Sequence, residues 1–277
     1  MKKLQTLLAI AMGGVLLNAG LSASAQPAKP GYATVVRVKG DASYSLDNGT
    51  HKFPLVAGKF LEAGSTIYTS DDAVVDVILG KALQMPQASW TPKRVSLAAD
   101  SPVRGLVTYT PSAEQNMVRI MPQSALGIDK LTTTSSGADT VSDTELNLQK
   151  GGIFASVKKL SPAAQYIIKT PSGIAGVRGT QVSITLNDDG TIKSIQVYKT
   201  LNDDGLLFSP SGATQPFVIK DGEMWQPGDA NPVPITPETR RFLQEIFAAF
   251  RTPYFQLVGF DYDRTQVQES SDFGSSY

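Results

Sequence analysis

The 277-residue chain has no cysteine and a single histidine, His51. Without cysteine no disulfide can hold it, so stability must come from an apolar core. A chain of this length can build that core as one large domain or two small ones. Thiol nucleophiles and most soft metal sites are excluded on the same ground. Surplus positive charge is also missing: 25 Lys and Arg balance 25 Asp and Glu. That excludes a nucleic-acid partner, whose phosphates must be neutralised. With one histidine H-E-x-x-H cannot occur, and G-x-S-x-G is absent. Glycosidase carboxylates must be paired in space, and nothing in the sequence supports such a pair. No enzymatic activity, metal or cofactor is expected.

The long apolar run Leu7–Leu17 follows Lys2 and Lys3 and precedes Ala23-Ser24-Ala25. This is the three-part pattern of a secretory signal peptide, with cleavage expected after Ala25. The run falls short of the roughly 20 residues that span a bilayer, and no cysteine stands at the cleavage point to take a lipid. The mature chain is expected to begin at Gln26, without a transmembrane segment, and to work in the periplasm or outside the cell. Loss of Lys2 and Lys3 leaves 23 of the 25 basic residues against 25 acidic ones.

What is present is a series of short strand patterns separated by Gly, Pro, Asn and Asp. Tyr32–Val38, Ala42–Leu46, Val74–Leu79, Met117–Met121, Ser124–Ile128 and Ile153–Val157 read as strands. So do Tyr166–Lys169, Gln181–Leu186, Ile192–Tyr198, Leu206–Phe208 and Phe217–Lys220. The pattern predicts an all-β domain. Asp47-Asn48-Gly49 reads as a hairpin turn, because Asn and Gly tolerate positive φ. It makes His51 a solvated hairpin residue, and Asp71-Asp72 read as turn residues. Asn187-Asp188-Asp189-Gly190 recurs as Asn202-Asp203-Asp204-Gly205. Between strands these predict a β-meander; the alternative is a calcium site, for which ligand spacing and a closing Glu are lacking.

Two segments break the pattern. Residues 82–114, rich in Pro, Ser and Thr around Trp90 and Tyr109, read as an insertion or long hairpin. Residues 227–236 have linker composition. A helix is predicted over 237–251, with Thr236 as N-cap, Pro237 at the first position and Glu238 against the positive helix end. Phe242, Leu243, Ile246, Phe247 and Phe250 form its apolar stripe. The stripe is expected to dock on the β-domain with Phe242, Ile246 and Phe250 as anchors; a partner groove or membrane surface is the alternative. A polar tail, 252–277, follows.

The most distinctive stretch is Thr170-Pro171-Ser172-Gly173-Ile174-Ala175-Gly176-Val177-Arg178-Gly179-Thr180. Its glycines do not have dinucleotide-binding spacing. They fit sharp turning or close approach of backbone before a strand. Arg178, with five N–H donors, reads as a clamp on carbonyls left unpaired there, or as an anion-recognition group. Thr170, Pro171, Gly176, Val177, Arg178, Gly179 and Thr180 are thus the candidate motif residues.

This T-P-x-x-x-x-V-R-G-T run resembles the signature of the FecR-like domain, found outside the cytoplasm in iron-transport signal transducers and other exported bacterial proteins. Leu55-x-x-Gly58-x-x-Leu61-x-x-Gly64-x-x-Ile67-x-Thr69 is similar to the family's glycine-spaced opening segment. Ser124 with Leu126 and Ile128, and Leu146-x-Leu148-x-x-Gly151, are similar to later blocks. The resemblance covers roughly Tyr32 to Trp225. It implies a β-sandwich or short β-helix-like domain of many short strands over 32–226, preceded by a linker over 26–31. It also implies a module that binds an envelope protein or polysaccharide, without catalytic residues. The alternatives are a periplasmic component of a cell-surface signalling relay and a carbohydrate-active enzyme.

Overall fold

Alternation of apolar and polar residues places one side of each strand in a shared core, and the chain accordingly forms two facing sheets. The computed structural model describes residues 27–80, 104–109, 115–136, 139–201, 205–212, 215–250 and 254–259. The signal peptide, most of the 82–114 excursion with Trp90, residues 202–204 of the second acidic turn and the tail from 260 lie outside the described residues.

The ten-stranded sheet runs Phe217–Ile219, Leu206–Pro210, Gly173–Val177, Gln165–Thr170, Asp139–Lys150, Ala125–Ser136, Thr66–Thr69, Ala42–Ser45 and Phe53–Pro54. Lys29–Pro30 pairs beside this path with Ala125–Ser136. The nine-stranded sheet runs Val233–Pro234, Glu223–Trp225, Ile192–Thr200, Thr180–Leu186, Gly152–Ser156, Asn116–Ile120, Val74–Gly80, Tyr32–Lys39 and Phe60–Leu61. Arg104–Tyr109, within the excursion, pairs with Tyr254–Gly259 as a separate two-stranded sheet. The main core lies between the two large sheets. Val35, Val77, Ile120, Ile153, Ile184 and Val197 come from one side, and Ile67, Leu126, Leu146, Ile168 and Phe208 from the other.

The chain changes sheet repeatedly, after Pro30, Lys39, Pro54, Leu61, Thr69, Ile120, Lys150, Ser156, Val177, Thr200 and Ile219. The architecture is an all-β sandwich with the winding of a short β-helix. Asp139–Lys150 and Gln165–Thr170 pair in parallel. A parallel pair needs a crossover, and Gly152–Ser156 in the opposite sheet supplies it. The glycine-spaced opening segment follows the same logic. Leu55, Leu61 and Ile67 are buried, and the amides of Gly58 and Gly64 each donate at 2.7 Å, to the Val35 and Ile128 carbonyls.

Three expectations change. The acidic turns do not build a meander. Asn187–Gly190 closes the hairpin of Thr180–Leu186 with Ile192–Thr200, but Leu206–Pro210 belongs to the opposite sheet. Alternation within a strand cannot reveal which sheet the next strand joins. The linker segment also contributes structure: Val233–Pro234 pairs with Glu223–Met224, and Ile235 is buried. The third change concerns the helix.

Helix Pro237–Ala249 forms with Thr236 as N-cap, its hydroxyl accepting the Thr239 amide at 3.2 Å, and Pro237 opening the first turn. It lies on the outer face of the nine-stranded sheet, in a second core with Val36, Ile78, Met117 and Phe154. The buried side chains are Leu243, Phe247 and Phe250; Ile246 is half-buried, and Phe242, expected as an anchor, is 50% exposed. Residues 243, 247 and 250 follow the helical repeat, whereas 242 lies about 100° away from 243. Phe242 only edges against Phe154, with ring centroids 6.1 Å apart. Phe247 contacts Phe154 edge-on and stacks on Tyr198 at 5.6 Å.

Candidate functional site

The distinctive stretch is a strand and a corner. Gly173–Val177 pairs with Gln165–Thr170 on one side and Leu206–Pro210 on the other. Arg178-Gly179 then carries the chain to Thr180–Leu186 in the opposite sheet. Gly179 has φ +67°, which permits this two-residue crossing at a cost that an L side chain would raise. Its carbonyl accepts the Leu201 amide at 2.6 Å, and the Thr180 carbonyl accepts the Val157 amide at 3.0 Å. Arg178 donates from one terminal nitrogen to the Pro162 carbonyl at 3.1 Å. Pro162 lies in the connection between Ser156 and Gln165, so Arg178 fastens the crossover behind the parallel pair. Thr170 caps the other end of the stretch, its hydroxyl donating to the Gly173 carbonyl at 2.9 Å. A Cβ on Gly173 would stand 2.7 Å from the Phe208 ring and from the Ser209 carbonyl, so close approach explains that glycine. Pro171 is exposed and Val177 buried.

A second corner uses Gly151, φ +78°, between Lys150 and Gly152. The Ser124 hydroxyl accepts the Gly152 amide at 2.9 Å and donates to its carbonyl at 3.2 Å. Thr69 donates to the Met121 carbonyl at 2.6 Å and accepts the Ser124 amide at 2.9 Å. The Ser and Thr of the glycine-spaced blocks therefore stitch corners together.

Outward-facing residues of the ten-stranded sheet form rows set by strand register. One row is Glu145, Ile167, Gly176, Leu207 and Val218. The neighbouring row has Asp143 beside Gln165, and the antiparallel registers continue it to Arg178 and Gly205. Ile174, Leu207 and Val218 are 47%, 45% and 38% exposed. With Gly176 and Gly205 adding no side chains, these rows enclose an open trough of about 490 Å³ bordered by Ile167, Leu207, Val218, Gln165 and Arg178. The two lysines on this face are paired: Lys169 with Glu145 at 2.6 Å and Asp129 at 3.2 Å, and Lys130 with Asp143 at 3.3 Å. Hydrogen bonds first to Glu145, then to Asp129, raise the Lys169 pKa.

Sequence reasoning missed a buried ion pair. Arg119 donates to both Asp76 oxygens, at 2.7 and 3.0 Å, with 6% and 1% of the two residues exposed. The two are register partners on the sheet face under the helix, and Phe250 places its ring 4.8 Å from the guanidinium. Asp76 alternates with Val75 and Val77, so its orientation was legible, but its partner 43 residues away was not. Tyr166 is a further buried polar group. Its hydroxyl has no hydrogen-bond partner among the described residues, and burial pushes its pKa far up.

The groups weighed for catalysis are dispersed. His51 is exposed, its ring nitrogen 2.5 Å from Asp47, whose pKa is lowered first by the His51 amide and then by the Ser45 hydroxyl. One S-x-x-K spacing does occur, Ser156 to Lys159. Ser156 ends a strand and its hydroxyl accepts from Gln181 at 3.3 Å, so no serine–lysine pair is recorded there. Asp189 accepts from the amide and hydroxyl of Thr191, at 2.9 and 2.6 Å, as a turn residue does. Among the described residues no cluster of three or more His, Asp or Glu could hold a metal. Among them, too, no helix is long and apolar enough to cross a membrane.

Comparison with known proteins places the corner in a family context. Residues 107–199 match the family described as FecR protein, and this span contains the parallel crossover and the whole V-R-G-T corner. No curated protein matches the chain. Among solved structures, a "putative anti-sigma factor" from Parabacteroides distasonis shares 8% identity, with a TM-score of 0.30. That alignment covers 61% of this chain and 87% of the other. A FecR match fits a signalling-related protein of the cell envelope. The match across residues 107–199, which contains the V-R-G-T corner, shows that this part of the chain is FecR-like.

Proposed function

We propose that the chain is exported and acts as a non-enzymatic binding or scaffold module of the cell envelope. The observation that carries this reading is the open trough beside the V-R-G-T corner. Leu207 and Val218 in its lining are 45% and 38% exposed, Ile174 on the same strand face as Gly176 is 47% exposed, and the nearby Lys130 and Lys169 are paired with carboxylates. Exposed apolar area gathered in one place marks an interaction surface more often than scattered apolar residues do. The partner class is a protein or polysaccharide of the envelope, and no cofactor takes part. The FecR match favours a second reading, in which this module belongs to a signalling relay whose other components lie in the membrane. Crosslinking in the native host, after cell fractionation, tests both. Recovery from the envelope fraction with a reproducible adduct is expected. A cytoplasmic protein without adducts would contradict the proposal, and an adduct with a membrane signalling component would select the second reading.

A further inference from the structure

We infer that the trough captures the C-terminal residue of a partner polypeptide, with its carboxylate on Arg178 and its apolar side chain over Gly176. This rests on the binding-module reading above.

Gly176 is a glycine that the fold does not require. Its φ is not in the left-handed region. A Cβ there would stand 3.8 Å from the Leu207 carbonyl oxygen and 3.9 Å from the Leu207 Cβ, which is ordinary contact. What the missing side chain does is leave a floor between Ile167 and Leu207. Arg178 uses one donor on the Pro162 carbonyl, while a guanidinium has five and matches a carboxylate with two parallel bonds. Among the described residues no carboxylate pairs with Arg178, whereas Lys130 and Lys169 on the same face are each paired. Arg178, without a carboxylate partner among the described residues, thus stands at the end of an apolar trough, and the complementary ligand is an apolar group bearing one carboxylate.

Spacing favours a chain terminus over a lipid. Arg178 and Gly176 are two residues apart on one face, which in extended backbone is about 7 Å. That is the scale of a single terminal residue, with its carboxylate at one end and its side chain at the other. A long alkyl chain would need an enclosed apolar tunnel, and this trough is open. Its volume of about 490 Å³ falls within the range of small-ligand sites. Capture of a terminal carboxylate is a recurring way of recognising peptides.

The test offers the purified chain two pools of random hexapeptides ending in Val, Leu, Ile or Phe. One pool carries free carboxylates and the other is amidated; retained peptides are read by mass spectrometry. Retention of the free-acid pool is expected to exceed that of the amidated pool at least ten-fold. Gly176→Leu fills the trough and should lower retention at least ten-fold while melting like the parent. Arg178→Gln should lower it as much. Equal retention of both pools, no retention, undiminished retention by folded Gly176→Leu, or displacement by equimolar dodecanoate would each overturn the inference. Such a failure would leave the binding-module reading standing, because a partner can dock on another face, which crosslinking would report.

Discussion

At the scale of single residues, the glycines separate by what a side chain would meet. At Gly151 a Cβ would stand 2.7 Å from the Ser124 Cα and 2.8 Å from the Gln123 carbonyl, with φ +78°. Backbone cannot yield as a flexible side chain can, so Gly151→Ala should destabilise by about 2 kcal/mol or more, read from denaturant unfolding. Gly179→Val should do likewise because of its positive φ, whereas Gly176→Ala should leave the melting temperature unchanged. The Arg178–Pro162 bond is exposed, so Arg178→Ala should cost only about 1 kcal/mol. The largest polar effect belongs to Asp76. Removing it would leave Arg119 buried without its bidentate partner, at a cost of about 3–5 kcal/mol. Asp47 gives a pH test. Its folded pKa lies below the ordinary carboxylate value, so its contribution is fully present above about pH 4 and is lost as pH falls through the folded value. The stability gap between the parent and Asp47→Asn should therefore close on acidification; a gap that widens would contradict the assignment.

At the scale of elements, the helix and the corners show what sequence could disclose. Alternating strands such as Val74–Gly80 and Tyr32–Lys39 were legible because one face is buried and the pattern has period two. Asp139–Lys150 is not among the strand patterns, because Asp, Thr and Ser hide the alternation over its first half. Gly173–Val177 does not stand out as a strand in the sequence, because two of its positions are glycine. The helix was legible from its cap and stripe, but the stripe is wide, and Leu243 rather than Phe242 faces the sheet. Leu243→Ala should accordingly cost about 2–5 kcal/mol, and Phe242→Ala about 1 kcal/mol or less. Deleting the chain from Thr236 onward should lower the melting temperature and let an apolar dye bind the uncovered face of Val36, Ile78, Met117 and Phe154. An unchanged melting temperature would contradict cis docking. Sheet-to-sheet crossings and the Asp76–Arg119 pair were not legible, since each depends on partners distant in sequence.

For the whole molecule, the two outer sheet faces have different fates. One is covered by the chain's own helix over a buried ion pair, and the other keeps its trough open, bordered by Arg178. That asymmetry is the basis for reading the ten-stranded face as the working surface of a FecR-like module. Its most direct test is photocrosslinking in the native host from a probe placed at Leu207, with Thr50, in the turn between Ala42–Ser45 and Phe53–Pro54 at the opposite edge of the same sheet, as control. The account predicts a discrete adduct with an envelope component from position 207, absent from position 50 and abolished by Gly176→Leu. Identical adducts from both positions, or none from 207 in a correctly folded protein, would contradict it.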